Sequence, residues 1–484
     1  MRTLQHEDCS SLGSCLGSAE LVWRRRRTIL MRTLAVVALL ATTVHAQERV
    51  GPLMLDQAVG FAIAHHPALQ AEASAEEVRR EQVSVARADY LPSVDLSLQV
   101  NAGTGNVLRG GLYSMKGIPV VSGPPTGRSF NDASLGSLVG VGVSWDAIGL
   151  VQKMAEVDAA LADEAQARAT VQARRLAIAF AAADQFLDVL ARAETVRSAR
   201  AAVERERVFD TIVEALAKQE LRPAADASRA RAELALAATQ LIRAEQAEAV
   251  SRTELARALG IAGARIEIAG GNLLAPVAAP AETKAKHPLV IEAEAAERAA
   301  RARKHAVELT YLPRLDLFAS LWVRGSGLTS GTLPPSPAEG IRPDTPNWLT
   351  GLSLSLPVLE LVTVRARSRI EAAQVQVADA RKREVMQAVQ AQMDAARQIL
   401  DAAHKEAANT PIALEAARAS ESQAISRYRS GLAGVVEVAD AQRLLAQAEI
   451  EDAVARLNVR RGELLLARAI GDLGPFLDGV RGGR

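Results

Sequence analysis

Four short stretches of this chain alternate apolar and polar residues with a period of two. Val94, Leu96, Leu98 and Val100 interleave with Ser93, Asp95, Ser97, Gln99 and Asn101. Val139, Val141, Val143 and Trp145 interleave with Gly140, Gly142, Ser144 and Asp146. Leu315, Leu317, Ala319, Leu321 and Val323 alternate with Asp316, Ser320 and Arg324, and Leu352, Leu354 and Leu356 with Gly351, Ser353 and Ser355. One apolar and one polar face over about ten residues is what a membrane-spanning barrel strand needs, although a small soluble sheet alternates as well. Segments rich in Gly, Pro and Ser, 102–133 and 325–346, join the strands into two predicted hairpins, 93–146 and 314–358. Trp145, Trp322, Trp348 and Phe318 fall in or beside these strands. Amphipathic rings favour a membrane–water interface, so these four are candidate interfacial aromatics.

Elsewhere the period lengthens. From about Leu150 to Gln219 there is no proline and no glycine, and Leu176, Phe180, Leu187 and Leu190 recur at steps of four, seven and three. Such a helix extends roughly 100 Å, more than a compact domain accommodates. A break at Glu220-Leu221-Arg222-Pro223 precedes a second helix to about Leu259. The pattern returns from about Thr363 to Arg429, with a break at Ser430-Gly431-Leu432-Ala433-Gly434 and a helix to about Ile470. Gly431 suits a helix end needing positive φ, and Pro223 suits a first helical turn. Two shorter helices, about 67–89 and 287–310, precede the strands.

The mirrored order is a duplication. His66-Pro67 precedes Tyr90-Leu91-Pro92-Ser93-Val94-Asp95-Leu96, and His287-Pro288 precedes Tyr311-Leu312-Pro313-Arg314-Leu315-Asp316-Leu317 at the same spacing. Ala256-Arg257-Ala258-Leu259-Gly260 recurs as Ala467-Arg468-Ala469-Ile470-Gly471. The two anchors recur at offsets that differ by ten residues, so the first copy carries the longer insertion. A chain of 484 residues ordinarily forms about three domains. Duplication implies one elongated body instead: a first repeat over 47–260, a linker over 261–285, a second repeat over 286–471 and a tail over 472–484. The predicted class is α+β, mostly α.

Composition agrees with long helices: 49% of residues are hydrophobic but only 3% aromatic. A net charge of +1 gives no general attraction to nucleic acid. Residues 1–46 read as an upstream extension and a secretory signal: Arg24 to Arg27 and Arg32 precede the apolar run Leu34 to Val44, which ends in His45-Ala46. That run is too short to span a bilayer. Cys9 and Cys15 lie before the expected cut, so the processed chain would have no disulfide, thiol nucleophile or lipid-bearing cysteine. His65-His66 lacks a third ligand at a usable spacing, no glycine-rich phosphate loop precedes a helix, and no catalytic grouping stands out. Neither an enzyme, a cofactor nor a metal site is expected.

Four strands cannot close a membrane barrel, and lipid does not tolerate open strand edges, so such a chain must share its barrel with other copies. The repeated order of His-Pro, Tyr-Leu-Pro, strand hairpin and long helical hairpin resembles the TolC-like outer-membrane efflux protein family over essentially the whole processed chain. That resemblance implies a homotrimer in outer-membrane lipid, with a twelve-stranded β-barrel continued by a periplasmic α-helical barrel. It implies a passive exit duct for a tripartite efflux pump or a type I secretion system, with a periplasmic adaptor and an inner-membrane transporter as partners. By position, Glu437 and Asp440 fall where the family places its pore-constricting acids. The reading without a pore is that both acids solvate a helix start. Leu221, Arg222 and Pro223 of the first tip, with Gly431, Leu432 and Gly434 of the second, are candidate adaptor contacts. Glu220 stands where the second tip has Gly431, which predicts two unlike tips. The rival from another class is an exported coiled-coil scaffold with no conduit.

Overall fold

In a computed structural model, the described residues are 49–104, 133–270, 286–326, 340–356, 358 and 360–482. The expected leader with Cys9 and Cys15, most of the two inter-strand segments and the linker from residue 271 lie outside them. In chain order the elements are β1 (Arg49–Leu53), α1 (Leu55–His65), α2 (Pro67–Ala88), β2 (Ser93–Thr104), β3 (Ala133–Asp146), α3 (Leu150–Lys218) and α4 (Ala224–Ala258). There follow β4 (Arg265–Ile268), α5 (Pro288–Glu308), β5 (Arg314–Ser326), β6 (Thr345–Ser355), α6 (Glu360–Arg429), α7 (Val435–Ile470) and α8 (Gly474–Gly482). No described helix is long and apolar enough to cross a membrane.

The two long hairpins are α3–α4 and α6–α7. Many of their buried positions hold small residues, among them Ala182, Ala183, Ala230, Ala417 and Ala455, and Ala417 and Ala448 pack together between α6 and α7. Four elements, β1, α1, β4 and α8, lie where the sequence pattern predicted none. The linker begins with β4, which pairs in parallel with β1 through Val50 and Ile266. Helix α1 precedes the first His-Pro. The tail forms α8, whose Phe476, with Leu473 just before it, is buried against Leu55, Val59, Phe186 and Leu464 in the largest core. Arg481 of α8 pairs with Asp56 of α1 at 3.0 Å.

The two sequence anchors of the duplication meet in space. Gly260 has φ +80° and lies against His66-Pro67; Gly471 has φ +93° and lies against His287-Pro288. Each histidine caps its helix: His66 Nδ1 accepts from the Ala68 N–H and His287 Nδ1 from the Leu289 N–H, both at 3.2 Å. His287 Nε2–H also donates to the Arg468 carbonyl at 3.1 Å. The side chains of His66 and His287 are thus explained by capping.

The two tips share one backbone conformation despite their different residues. Glu220 adopts φ +61° where Gly431 adopts +79°. The Leu221 N–H reaches back to the Leu216 carbonyl as the Leu432 N–H does to that of Arg427, closing the same Schellman turn. The expected inequivalence therefore lies in strain and not in shape. Pro223 precedes α4 as its N-cap, one position before the helix. A left-handed conformation costs a side-chain-bearing residue about 1–2 kcal/mol, partly offset by the chain entropy glycine adds on unfolding. Glu220→Gly should accordingly slow amide exchange at Leu221 by a few-fold. Faster exchange at that amide would show that the glutamate side chain holds the turn.

Candidate functional site

The outer part of the site is one antiparallel sheet in the order β2-β3-β5-β6. Its register pairs Leu96 with Val141, Val141 with Leu321, and Leu321 with Trp348. These residues share a face that the protein leaves bare: Leu96 is 79% exposed and Trp348 75%. The opposite face carries Ser93, Asp95, Ser97 and Gln99 on β2 and Asn347, Ser353 and Ser355 on β6. An apolar exterior and a polar interior suit a lipid-facing wall around water.

The register corrects two of the four expected interfacial aromatics. Trp145 and Trp348 stand on the apolar face, and the Trp145 indole N–H donates to the Tyr90 carbonyl at 3.1 Å. Trp322 is opposite Gly140 and Asn347, and Phe318 is opposite Ser144 and Gly351, so both belong to the polar face. Trp322 is buried with Leu138, and Leu349 packs against the pair. Phe318 lies over Gly351, where an added Cβ would stand 2.7 Å from its ring. The Phe318 ring covers one glycine and the Trp322 Cβ stands 2.6 Å from where a Gly140 Cβ would lie, so a glycine opposite each makes room for bulk on a polar face. Both residues occupy even positions while the apolar residues of β5 occupy odd ones, so the parity was present in the sequence.

Among the described residues the sheet's edge strands β2 and β6 each have one unpaired side. The helical region is incomplete in the same sense. Helix α3 packs against α5 and α7 of the second repeat. By the duplication, α6 should pack equivalently against α2 and α4, yet α6 leaves Ile370 and Val377 exposed, α2 leaves Val78 and Val85, and α4 leaves Leu236 and Val250.

At the far tip, Glu437 and Asp440 lie in the first two turns of α7 with side chains 46% and 63% exposed. Each has an arginine beside it. Arg427 Nε is 3.3 Å from Glu437, and Arg443 Nη2 is 2.5 Å from Asp440. Leu221 and Leu432 project from the two tips with 64% and 73% exposure, and Pro223 is exposed as well. Gly431 and Gly434 leave open space around the second turn among the described residues; a Cβ added at Gly431 would meet the Arg222 guanidinium at 4.0 Å. Arg222 turns inward. Its Nη2 donates to the Tyr428 carbonyl at 2.5 Å, and its guanidinium carbon stands 4.5 Å from the Tyr428 ring centre. That ring meets Phe209 of α3 edge-on. Arg222 and Tyr428 thereby tie one hairpin's tip to the other's. Among the described residues no group of three or more His, Cys, Asp or Glu could hold a metal.

Sequence reasoning missed Tyr428 and Glu206. Glu206 continues the buried spacing Val203, Glu206, Phe209, Val213 on α3, and an acid in a seam position was the signal that could have found it. Burial above all, then the charge of Glu233, pushes its carboxyl up to about 7, against the opposing pull of Arg205 and Arg443.

The sequence model of the outer membrane efflux protein family matches residues 59–261 and 279–472. No curated protein sequence matches. Among solved structures, the outer-membrane channel OprN superposes with a TM-score of 0.69 at 20% identity, over 86% of this chain and 89% of its own. The Vibrio cholerae outer membrane protein VceC gives 0.69 at 16% identity, over 86% and 96%. The open-state outer membrane channel MtrE of Neisseria gonorrhoeae gives 0.66 at 17%, over 86% and 89%. At such identities the superpositions establish the fold alone.

Proposed function

This chain belongs to the outer membrane efflux protein family, an outer-membrane channel fold with a helical periplasmic extension, and from that premise we propose that three copies close a single exit duct. The observation that carries the proposal is the pair of unmatched edges on each copy. Strand β6 of one copy pairs with β2 of the next, and α6 of one copy fills the face left open by α2 and α4 of its neighbour. A head-to-tail contact of this kind must close into a ring or run on as a filament. Three copies give twelve strands, enough to close a membrane barrel. A coiled-coil scaffold would have no use for a bare apolar sheet face.

The duct is a passive conduit and not an enzyme. A periplasmic adaptor docks on Leu221 and Leu432, the two exposed apolar side chains at matching places in the turns, with Pro223, Gly431 and Gly434 shaping the surface around them. An inner-membrane transporter supplies the energy and selects the cargo. In the resting state the tips lean inward around Glu437 and Asp440.

Because each acid is matched by an arginine, the constriction is a set of acid–arginine pairs. Removing the acids leaves Arg427 and Arg443 in place and turns the ring positive, which weakens its hold on cations. In a planar lipid bilayer, Glu437→Ala with Asp440→Ala should raise single-channel conductance and reduce block by divalent cations. Wild-type conductance and block in that double variant would remove both residues from the constriction.

A further inference from the structure

One buried acid has no part in the conduit described above. Glu206 of α3 is 5% exposed in the seam between α3 and α7. The Gln442 side-chain amide of α7, turned nitrogen-first, donates to its two oxygens at 2.8 and 3.2 Å. The same amide turned oxygen-first would accept from a protonated carboxyl, so the seam can hydrogen-bond either form.

The surrounding charges do not neutralise an ionised Glu206. On its own helix, Arg205 is committed to Glu449 of α7 through contacts of 2.9 and 3.3 Å. From α7, Arg443 is held by Asp440 at 2.5 Å and stands 3.9 Å from Glu233. From α4, Glu233 adds a like charge. A groove beside the seam, lined by Phe209, Ile212 and Ile425, carries Glu204 of α3 and both Glu421 and Arg429 of α6 at its edge.

We propose that the α3–α7 seam is a pH-sensitive contact that tightens when Glu206 takes up a proton and loosens when it gives one up. The packed seam holds this proton more firmly than a loosened one, since its carboxyl is raised from 4.5 to about 7. The resulting stability is complete below about 4.5 and is lost as pH rises through 7. Since this seam joins the two hairpins of one chain, its loosening frees one tip to move against the other. That last step rests on the tip being the gate.

The test is hydrogen exchange in detergent-solubilised protein, comparing wild type with Glu206→Gln, which mimics the protonated form, at matched pH values from 5.5 to 8.5. Amides around 203–213 and 438–449 should already exchange faster in wild type at pH 5.5, and the ratio between the two proteins should climb as pH rises toward 7. The climb should be no steeper than about tenfold per pH unit, the ceiling for one proton, and should level off above about 7, where Glu206 is ionised in the packed and the loosened seam alike. A ratio that stays flat with pH overturns the proposal. Should Glu206→Gln fail to assemble, Glu233→Gln provides the second arm: removing the like charge must move the midpoint of the wild-type transition toward acid, and an unmoved midpoint overturns it equally. Exchange that follows pH while bilayer conductance ignores it would uphold the seam and count against the tip as the gate.

Discussion

Gly471→Val is expected to abolish the proposed trimer, and Gly260→Val to do the same. At Gly471 the backbone has φ +93°, where an L side chain is strained by about 1–2 kcal/mol. The new Cβ would also stand 2.7 Å from Pro288 Cδ and 3.0 Å from His287 Cα and the His287 ring. Relieving that overlap moves the histidine off both the Leu289 N–H and the Arg468 carbonyl. Overpacking in a tight contact costs about 1–3 kcal/mol more. At Gly260 the overlap is with Pro67 Cδ at 2.8 Å. Gly60 supplies the control: a Cβ there meets nothing within 4 Å and its φ is not left-handed, so Gly60→Ala should be neutral or mildly stabilising. Thermal melting read on denaturing gels distinguishes them, and a Gly471→Val protein that melts like wild type would refute the junction argument.

The second large effect is expected at the tip. Removing Arg222 discards a charge-assisted hydrogen bond worth about 1.5–3 kcal/mol and a guanidinium–ring contact worth about 0.5–2 kcal/mol. It also opens a gap between the two turns, since Arg222 is what links the first turn to Tyr428 among the described residues. Arg222→Ala should therefore raise channel open probability in a planar bilayer by an order of magnitude or more. Arg222→Lys should not restore it, because an ammonium lacks the flat surface that stacks on the ring. Tyr428→Phe is the revealing companion. Among the described residues the buried Tyr428 hydroxyl has no hydrogen-bond partner, so losing it should leave the open probability near wild type. An Arg222→Ala channel with wild-type gating would mean that the contact is a packing detail.

Much of this architecture could be read from residue order because its signals are long. A run without glycine or proline from Leu150 fixes α3 to within a residue at its far end, and period-two alternation fixes the strands. The features that escaped are short or depend on side-chain direction. β1 and β4 are five and four residues long, too few to separate alternation from accident. Glu220 in a left-handed turn runs against its own preference, so only the neighbouring chain path reveals it. Arg222 reads as a free surface cation until Tyr428, more than two hundred residues later, is brought beneath it. For the candidate acids the sequence supplied position, but not the arginines that accompany them. Phe318 and Trp322 are a different case, because counting odd and even positions along β5 would have assigned both correctly.

The clasp between the two ends of the described chain bears on biogenesis. Helix α8 is the last described element in chain order, yet its Phe476 and Arg481 complete the surroundings of Leu55 and Asp56 in the first described helix. Prematurely terminated translation products would thus expose a greasy cleft next to their earliest helix. Whatever protease or chaperone patrols the envelope has there a ready mark by which to tell molecules that lack α8 from those that carry it.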